Sequence, residues 1–201
     1  AARKEAGVYY TPVDVVQAQV RLCDYILTNR LNRPLGFGDP KVVTLDPATG
    51  SGTYPLAVID RAEQVALEER GPAGPRQIAD SLGERLLAFE VLPGPYAVAH
   101  LRIGQRLAEM ADQLLSPPHT RVYLTDTLDD PDREVPTLGL WGDQAVLAKG
   151  RASAAEVKRK QPVTVVIGNP PYKRRTRQSG GGFVVHAPQG RALFDDVIEG
   201  A

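Results

Sequence analysis

The sequence predicts a doubly wound α/β fold, in which helices cover both faces of a parallel sheet. Four short apolar runs are typical of buried strands. Helical stretches at about 54–69 and 96–115 separate the first three runs, and strands that alternate with helices favour parallel βαβ units. The predicted strands are Val42–Leu45, Leu86–Phe89, Val122–Leu124 and Val163–Ile167.

A helix is predicted before the first strand. Thr11 has the side chain of a helix cap, Pro12 suits the first helical position, and Asp14 completes a capping pattern. Apolar residues then recur at helical spacing and predict one buried face. They are Val13, Val16, Val20, Cys23 and Leu27.

Three segments between the other elements are interpreted from their turn-forming residues. The stretch from Gly71 to Arg76 is predicted to be a surface loop. The Asp-, Pro- and Gly-rich stretch from Thr127 to Gly150 is also predicted to be a loop. Ser153 and Glu156 then suggest a short capped helix before the fourth strand.

Composition excludes few functions. The 201 residues include 24 basic and 24 acidic side chains, so any nucleic-acid surface must be a local patch. Cys23 is the single cysteine, which fits a reducing, cytoplasmic compartment. No apolar run approaches the roughly 20 residues of a membrane span. We expect no membrane association and no metal ion.

A glycine-rich turn follows the first strand, from Asp46 to Thr53. Its glycines allow a sharp turn and a close approach to a ligand at the start of the next helix. Pro55 stands where a dinucleotide site has its third glycine, and no Gly-Lys-Ser/Thr follows, which disfavours nicotinamide and P-loop sites. An acidic residue at this strand end suits a cation or an amino group.

Acidic residues also end the second and third strands, at Glu90 and Asp126. In open parallel sheets, ligands bind beyond the carboxyl ends of the strands. Glu90 could accept hydrogen bonds from two ribose hydroxyls, and Asp126 could accept one from an adenine amino group. The alternatives are a solvated strand-end glutamate and a loop aspartate that caps a turn.

The fourth strand ends in Asn169-Pro170-Pro171-Tyr172. An exocyclic amine on adenine is a poor nucleophile because its lone pair is delocalised into the ring. The Asn169 side-chain oxygen and the Pro170 carbonyl can accept from that amine and favour a pyramidal nitrogen, in a loop that two prolines make rigid. Tyr172 offers a face on which a flipped base can stack.

With these motifs the chain resembles the gamma-type amino-methyltransferases that act on DNA. That family carries a Tyr-Thr-Pro motif, then the glycine-rich loop, then Asn-Pro-Pro-Tyr. Tyr10-Thr11-Pro12, Asp46 to Gly52 and Asn169 to Tyr172 match them in this order. The surrounding sequence is similar to type ISP and related large restriction–modification or phage-defence enzymes. The resemblance implies a cytoplasmic, adenine-specific enzyme that uses S-adenosyl-L-methionine on double-stranded DNA.

The resemblance also implies a role for each matching residue. Tyr10, Thr11 and Pro12 would face the methionine carboxylate. The methionine end of the cofactor would lie against the glycine-rich turn, formed by Asp46, Pro47, Thr49, Gly50 and Gly52. Glu90 would hold the ribose and Asp126 the adenine. The target base would be handled by Asn169, Pro170, Pro171 and Tyr172, and Cys23 would be a core residue.

A Rossmann-like S-adenosyl-L-methionine-dependent methyltransferase fold implies the strand order 3-2-1-4, with the fourth strand at an edge. Such a sheet is expected to have seven strands, of which four are legible. The expectation is therefore that residues 1–201 are part of a longer enzyme. Its remaining strands and a target-recognition domain would follow, and nuclease or translocase domains would flank this part.

A basic segment follows the Asn-Pro-Pro-Tyr motif, formed by Lys173, Arg174, Arg175 and Arg177. These cations are expected to contact DNA phosphates beside the flipped base, and such contacts carry no sequence information. A solvated loop is the alternative.

Cytosine-N4 methylation is a close variant of the same reaction, but that group more often has Ser or Asp before Pro-Pro. Three other functions also stay open. Asn-Pro-Pro-Tyr also occurs in enzymes that methylate a glutamine amide of release factors and, in variant form, guanine amines of RNA. The Tyr-Tyr-Thr-Pro motif at residues 9–12 favours DNA. The third alternative is a non-catalytic module that binds the cofactor or docks a partner through the fourth strand.

Overall fold

The computed structural model describes residues 11–112, 119–132 and 143–170, the last with side chains from residue 150 onward. These residues form an α/β fold of five α-helices and four strands. In chain order the elements are α1 (Val13–Asn29), a 3-10 turn (Gly36–Gly38), β1 (Thr44–Asp46), α2 (Thr53–Arg70), α3 (Gly74–Arg85), β2 (Leu86–Glu90), α4 (Pro93–Ala111), β3 (Arg121–Leu124), α5 (Asp143–Lys160) and β4 (Val165–Val166). None of the described helices is long and apolar enough to cross a membrane.

The four strands form one sheet in the order β3-β2-β1-β4, which confirms the predicted order. Every described pairing is parallel: Asp46 lies opposite Ala88, Leu45 opposite Val166, and Glu90 opposite Leu124. β4 is an edge of the described sheet, and the side chain of its Val166 is 65% exposed. All strands therefore end at the same edge of the sheet.

Helices pack on both faces of this sheet, as the sequence predicts. Leu86 and Ala88 of β2 point into the larger apolar cluster, which also contains side chains of α1, α2, α3 and α4. The alternate residues Leu87 and Phe89 pack on the other face against Ala154 of α5. Both faces of β2 are buried, because parallel strands between two helical layers have no solvated face.

The first helix begins differently from the prediction. Thr11 makes no capping hydrogen bond, and the cap position is held by Pro12, whose carbonyl accepts from the Val15 amide at 3.0 Å. The predicted Thr11 cap is therefore wrong, and its hydroxyl contacts Asn169 instead. Cys23 packs against the core as predicted, and burial raises the pKa of its thiol, with a smaller contribution from Asp24.

The predicted surface loop from Gly71 to Arg76 is wrong over its second half, because α3 begins at Gly74. Gly74 and Pro75 are buried, and a Cβ at Gly74 would overlap the carbonyl of Ala66 in α2. Pro75 is tolerated because the first turn of a helix needs no amide donor there. These residues mark a tight contact between two helices.

The predicted loop from Thr127 to Gly150 is wrong over residues 143–150, whereas residues 127–132 form a loop as predicted, and the short helix capped by Ser153 is also wrong. α5 begins at Asp143, so Ser153 and Glu156 lie inside a helix of 18 residues. Glu156 instead forms an exposed ion pair with Lys160, one helical turn later, at 3.1 Å. A side chain that can cap a helix also fits within one when it points to solvent.

Candidate active site

The predicted site residues of the described region gather at the edge where the strands end. Asp46 and Glu90 are the last residues of β1 and β2. Asp126 follows β3 by two residues, and Asn169 follows β4 by three. The parallel arrangement puts these four side chains on adjacent strand exits, at which ligands of open α/β sheets bind.

The turn after β1 depends on two glycines. Gly50 and Gly52 have φ angles of +54° and +90°, a region in which a side chain is strained. The turn is held by the Gly52 amide, which donates to the Thr49 carbonyl at 2.9 Å, and by the Thr49 amide, which donates to the Phe89 carbonyl at 2.9 Å. Nothing lies within 4 Å of the position that a Cβ of Gly50 would take, so a ligand can approach the backbone there.

Asp46 is a buried carboxylate with 1% of its surface exposed. Its Oδ1 accepts from the Ala48 amide at 3.0 Å. Burial raises the pKa of Asp46 from 3.8 to about 7, and the Glu90 charge adds to this rise, whereas the Ala48 amide and the nearby Thr49 hydroxyl lower it. Neither Asp46 Oδ2 nor Thr49 Oγ1 has a hydrogen-bond partner of ordinary geometry among the described residues.

No lysine or arginine of the described region forms an ion pair with Asp46. A buried anion is costly without a partner, and a buried acceptor that lacks a donor is costly as well. The Asp46 carboxylate therefore favours a ligand that brings a positive charge or a hydrogen-bond donor to Oδ2.

Glu90 has a defined partner for each carboxylate oxygen. Oε2 accepts from the Gly50 amide and Oε1 from the Leu92 amide, each at 2.8 Å. The side chain is buried and joins the glycine-rich turn to the exit of β2. An ionised carboxylate has about four acceptor positions, so two hydrogen bonds leave capacity for donors from a ligand.

The exit of β3 is joined to the exits of β2 and β1. The Thr125 amide donates to the Glu90 carbonyl at 2.8 Å, and the Thr127 hydroxyl donates to the Pro47 carbonyl. Asp126 Oδ1 accepts from the Leu128 amide at 2.9 Å, which is a local turn contact. The turn-capping alternative for Asp126 therefore has a geometric basis, and a second carboxylate oxygen remains for a ligand.

Asn169 lies beside the start of α1. Its Nδ2 donates to the Thr11 hydroxyl oxygen at 2.9 Å, across 158 positions of sequence. The preceding Gly168 packs against Asp46, because a Cβ at Gly168 would overlap Asp46 Oδ1. The β4 exit thus contacts the β1 exit directly and brings Asn169 to the candidate site.

The remaining predicted residues are either exposed or outside the described region. Pro12 is exposed at the start of α1, and Pro170 is exposed after Asn169. The others lie outside the described residues, and their roles stay predictions: Tyr10, Pro171, Tyr172, Lys173, Arg174, Arg175 and Arg177.

Sequence reasoning missed two residues that shape the site, Gly168 and Thr127. Gly168 lies directly before the Asn-Pro-Pro-Tyr motif, and a glycine there signals close backbone packing. Thr127 gives no such signal, because its contact with the Pro47 carbonyl depends on how two strand exits meet.

Three solved structures resemble this chain in fold. One is a nuclease-deletion mutant of the Type ISP restriction-modification enzyme LlaGI in complex with a DNA substrate mimic, at TM-score 0.67 and 24% identity over 83% of this chain. Another is the ATP-dependent Type ISP restriction-modification enzyme LlaBIII bound to DNA, at TM-score 0.69 and 24% identity over 88% of this chain. The third is the DrdV–DNA complex, at TM-score 0.61 and 26% identity over 86% of this chain.

The chain corresponds to a small part of each of these proteins. It covers 13% of the LlaGI chain, 15% of the DrdV chain and 11% of the LlaBIII chain. The sequence matches no protein-family model and no curated protein. These likenesses therefore show a shared fold.

Proposed function

We propose that this chain forms the S-adenosyl-L-methionine-binding and catalytic part of a cytoplasmic DNA methyltransferase, which transfers a methyl group to the N6 amine of adenine. The observation that carries the proposal is the meeting of Asp46, Glu90 and Asn169 at adjacent strand exits. Asp46 and Glu90 suit a cationic nucleoside, and Asn169 suits an amine. The fold likeness to DNA-bound restriction–modification enzymes supports the same function.

The residues present fit the cofactor. Asp46 Oδ2 and Thr49 Oγ1 are buried and have no hydrogen-bond partner of ordinary geometry in the part of the chain that the structure describes, and they would receive the α-amino group of the methionine end. The open space at Gly50 would admit that end close to the backbone. Glu90, held by two amides, would accept from the ribose hydroxyls. Asp126 would accept from the adenine amine of the cofactor.

S-adenosyl-L-methionine supplies an electrophilic methyl group on a sulfonium. The chain's part is to make the target amine a better nucleophile. Because Asn169 Nδ2 donates to Thr11, the acceptor Oδ1 is fixed at the opposite end of the amide. Oδ1 and the Pro170 carbonyl would accept from the target amine and localise its lone pair, as preorganised dipoles do in other active sites.

Double-stranded DNA is the proposed substrate, and a restriction–modification system is the proposed setting. The solved relatives in fold are complexes with DNA or with a DNA mimic, and each is much longer than this chain. Target recognition would therefore come from other domains of a longer protein. Lys173, Arg174, Arg175 and Arg177 would contact phosphates beside the flipped adenine.

The test is transfer of a radiolabelled methyl group from S-adenosyl-L-methionine by the full-length protein, with plasmid DNA, release factor and ribosomal RNA as competing acceptors. Label recovered as N6-methyladenine after digestion of the DNA supports the proposal. Label on a glutamine amide or on guanine would identify the wrong substrate class. Failure to bind the cofactor would overturn the proposal itself.

Asn169→Ala gives the matched catalytic test. Without an acceptor for the target amine, transfer should fall at least about a hundredfold, while cofactor affinity stays within a few-fold. The control is Asn29→Ala, because Asn29 is an exposed asparagine at the end of α1. Equal transfer by both variants would remove Asn169 from the proposed mechanism.

A further inference from the structure

Lys158 of α5 extends to the loop that follows β3. Its Nζ donates to the Asp126 carbonyl at 2.6 Å and to the Asp129 carbonyl at 3.2 Å. The same nitrogen lies 5.7 Å from the centre of the Phe89 ring. A side chain from a helix on one face of the sheet thus ends at the strand exits.

The two acceptors belong to the backbone, so Lys158 fixes where the chain runs and leaves the Asp126 carboxylate for other donors. Asp126 Oδ1 takes one local hydrogen bond from the Leu128 amide. On its other side the loop is held by Thr127, which donates to the Pro47 carbonyl. The position of the Asp126 side chain relative to the glycine-rich turn therefore depends on Lys158 and Thr127 together.

The Lys158 ammonium is held at an energetic cost. Burial lowers the pKa of Lys158, and the carboxylates of Asp129, Asp126 and Asp130 oppose that change. A surface lysine without a structural task normally keeps its ammonium in water. Its neighbour in the last turn, Lys160, does so: it is exposed and pairs only with Glu156 among the described residues.

We propose that Lys158 is a positioning residue for the nucleoside pocket: by holding the backbone at Asp126, it lets that carboxylate recognise the 6-amino group of the cofactor's adenine. This inference rests on the proposed function and adds a determinant of cofactor specificity that the sequence motifs do not contain. Lys158 acts through Asp126 and does not itself contact the ligand.

The test compares two probes that differ on one edge of the purine. S-adenosylhomocysteine carries an amine at the 6-position and an unprotonated N1, whereas S-inosylhomocysteine carries an oxygen at the 6-position and a hydrogen on N1. The full-length protein should prefer the amine by roughly tenfold to a hundredfold, the range expected when a mispaired group faces a carboxylate. In Lys158→Met the preference should fall below about threefold, because Asp126 is no longer held in place.

The ratio of the two affinities separates positioning from loss of fold. A partly unfolded sample lowers the concentration of competent protein equally for both probes and leaves their ratio unchanged. Lys160→Met removes the same charge from the same helical turn and should keep the preference of the unmodified protein. Lys158→Arg retains a cation and hydrogen-bond donors and should keep most of the preference for the probe with the amine. If Lys158→Met does not fold, Lys158→Ala takes its place, since it also removes every side-chain donor.

The outcomes are distinct. A preserved preference in a folded Lys158→Met or Lys158→Ala variant overturns the role of Lys158 and leaves the proposed function standing. An equal loss in Lys160→Met also overturns it, since net charge alone would then explain the effect. If the unmodified protein binds neither probe, the proposed function and this inference fall together.

Discussion

The Glu90 carboxylate accepts a hydrogen bond from the Gly50 amide at 2.8 Å, across 40 positions of sequence. Its second oxygen accepts from the Leu92 amide, so one side chain joins the turn after β1 to the start of α4. Gly50 has a positive φ that places its amide toward β2. The shape of the site thus depends on a hydrogen bond between two strand exits. Because its acceptor is a carboxylate, this is a charge-assisted hydrogen bond, which is the stronger kind.

We predict that Glu90→Gln weakens both the fold and the cofactor site. The amide can accept at one end only, so its NH₂ group would face an amide donor of Gly50 or Leu92. The cost should be about 1–3 kcal/mol in the free energy of unfolding, measured by urea denaturation. Cofactor affinity, measured by calorimetry, should fall at least about tenfold. Glu84→Gln, at an exposed position of α3, is the control and should change neither.

Asp46 predicts a pH dependence of stability. The carboxyl ionises near pH 3.8 when unfolded and near 7 when folded. Between these values the unfolded chain releases a proton that the folded protein keeps, so the contribution of Asp46 to stability falls as pH rises from about 4 to about 7. Above pH 7, Asp46→Asn should therefore be more stable than the unmodified protein, by roughly 2–4 kcal/mol.

The difference between Asp46→Asn and the unmodified protein cancels other titrating groups, since both chains share them. Denaturant midpoints at pH 4.5, near the lower end of this interval, and at pH 8, above it, provide the measurement. The variant should also lose cofactor binding, because a neutral amide cannot pair with a cationic α-amino group. A variant that is less stable at pH 8 would show that the buried charge has a partner that stabilises it.

Substitution by alanine at Gly168 and at Gly150 should change the stability of the protein in opposite directions. A Cβ at Gly168 would overlap Asp46 Oδ1 and press on Pro47, whereas nothing lies within 4 Å of a Cβ at Gly150. Gly168→Ala should destabilise the protein by about 1–3 kcal/mol and weaken cofactor binding. Gly150→Ala lies within α5 and should stabilise it by about 0.5–1 kcal/mol. Thermal melting of both variants checks the signs, and equal effects would contradict the contact at Gly168.

The parallel arrangement of the strands could be predicted from two general rules, whereas their order 3-2-1-4 was implied by the resemblance to Rossmann-like methyltransferases. Leu86 to Phe89 is an unbroken apolar run, and in the sheet both of its faces are buried. The helix between this run and the previous strand requires a parallel crossover. The polar residue that ends each run then has to lie at the same edge, so the proximity of Asp46 to Glu90 was also predictable.

The helix α3 could not be predicted in the same way. Gly74 and Pro75 are turn signals in sequence. In the structure a glycine is needed at position 74 because the carbonyl of Ala66 lies close to it. Similarly, Lys158 lies in the run Lys158-Arg159-Lys160, which has the pattern of a solvated helix end. Its contact with Asp126 exists only because α5 packs across Phe89. Local sequence patterns therefore predict helices and strands, whereas the roles of individual side chains such as Lys158 depend on contacts between these elements.

The Thr11 hydroxyl accepts a hydrogen bond from Asn169 Nδ2 at 2.9 Å. Thr11→Val keeps the shape of the side chain but removes the acceptor, so the Asn169 amide can rotate and present its NH₂ group to the target amine. In the proposed reaction kcat should fall about tenfold to a hundredfold, with KM for DNA nearly unchanged. Thr11→Ser retains the hydroxyl and should restore kcat.

Thr11 is also predicted to face the methionine carboxylate, and this role would appear as weaker cofactor binding in Thr11→Val. Because a hydroxyl can accept from Asn169 and donate to a carboxylate at once, the two roles are compatible. Their relative weight is measured by the cofactor Kd and by kcat at saturating cofactor. A variant that loses only cofactor affinity would contradict the orienting role, since Asn169 would then hold its orientation without Thr11.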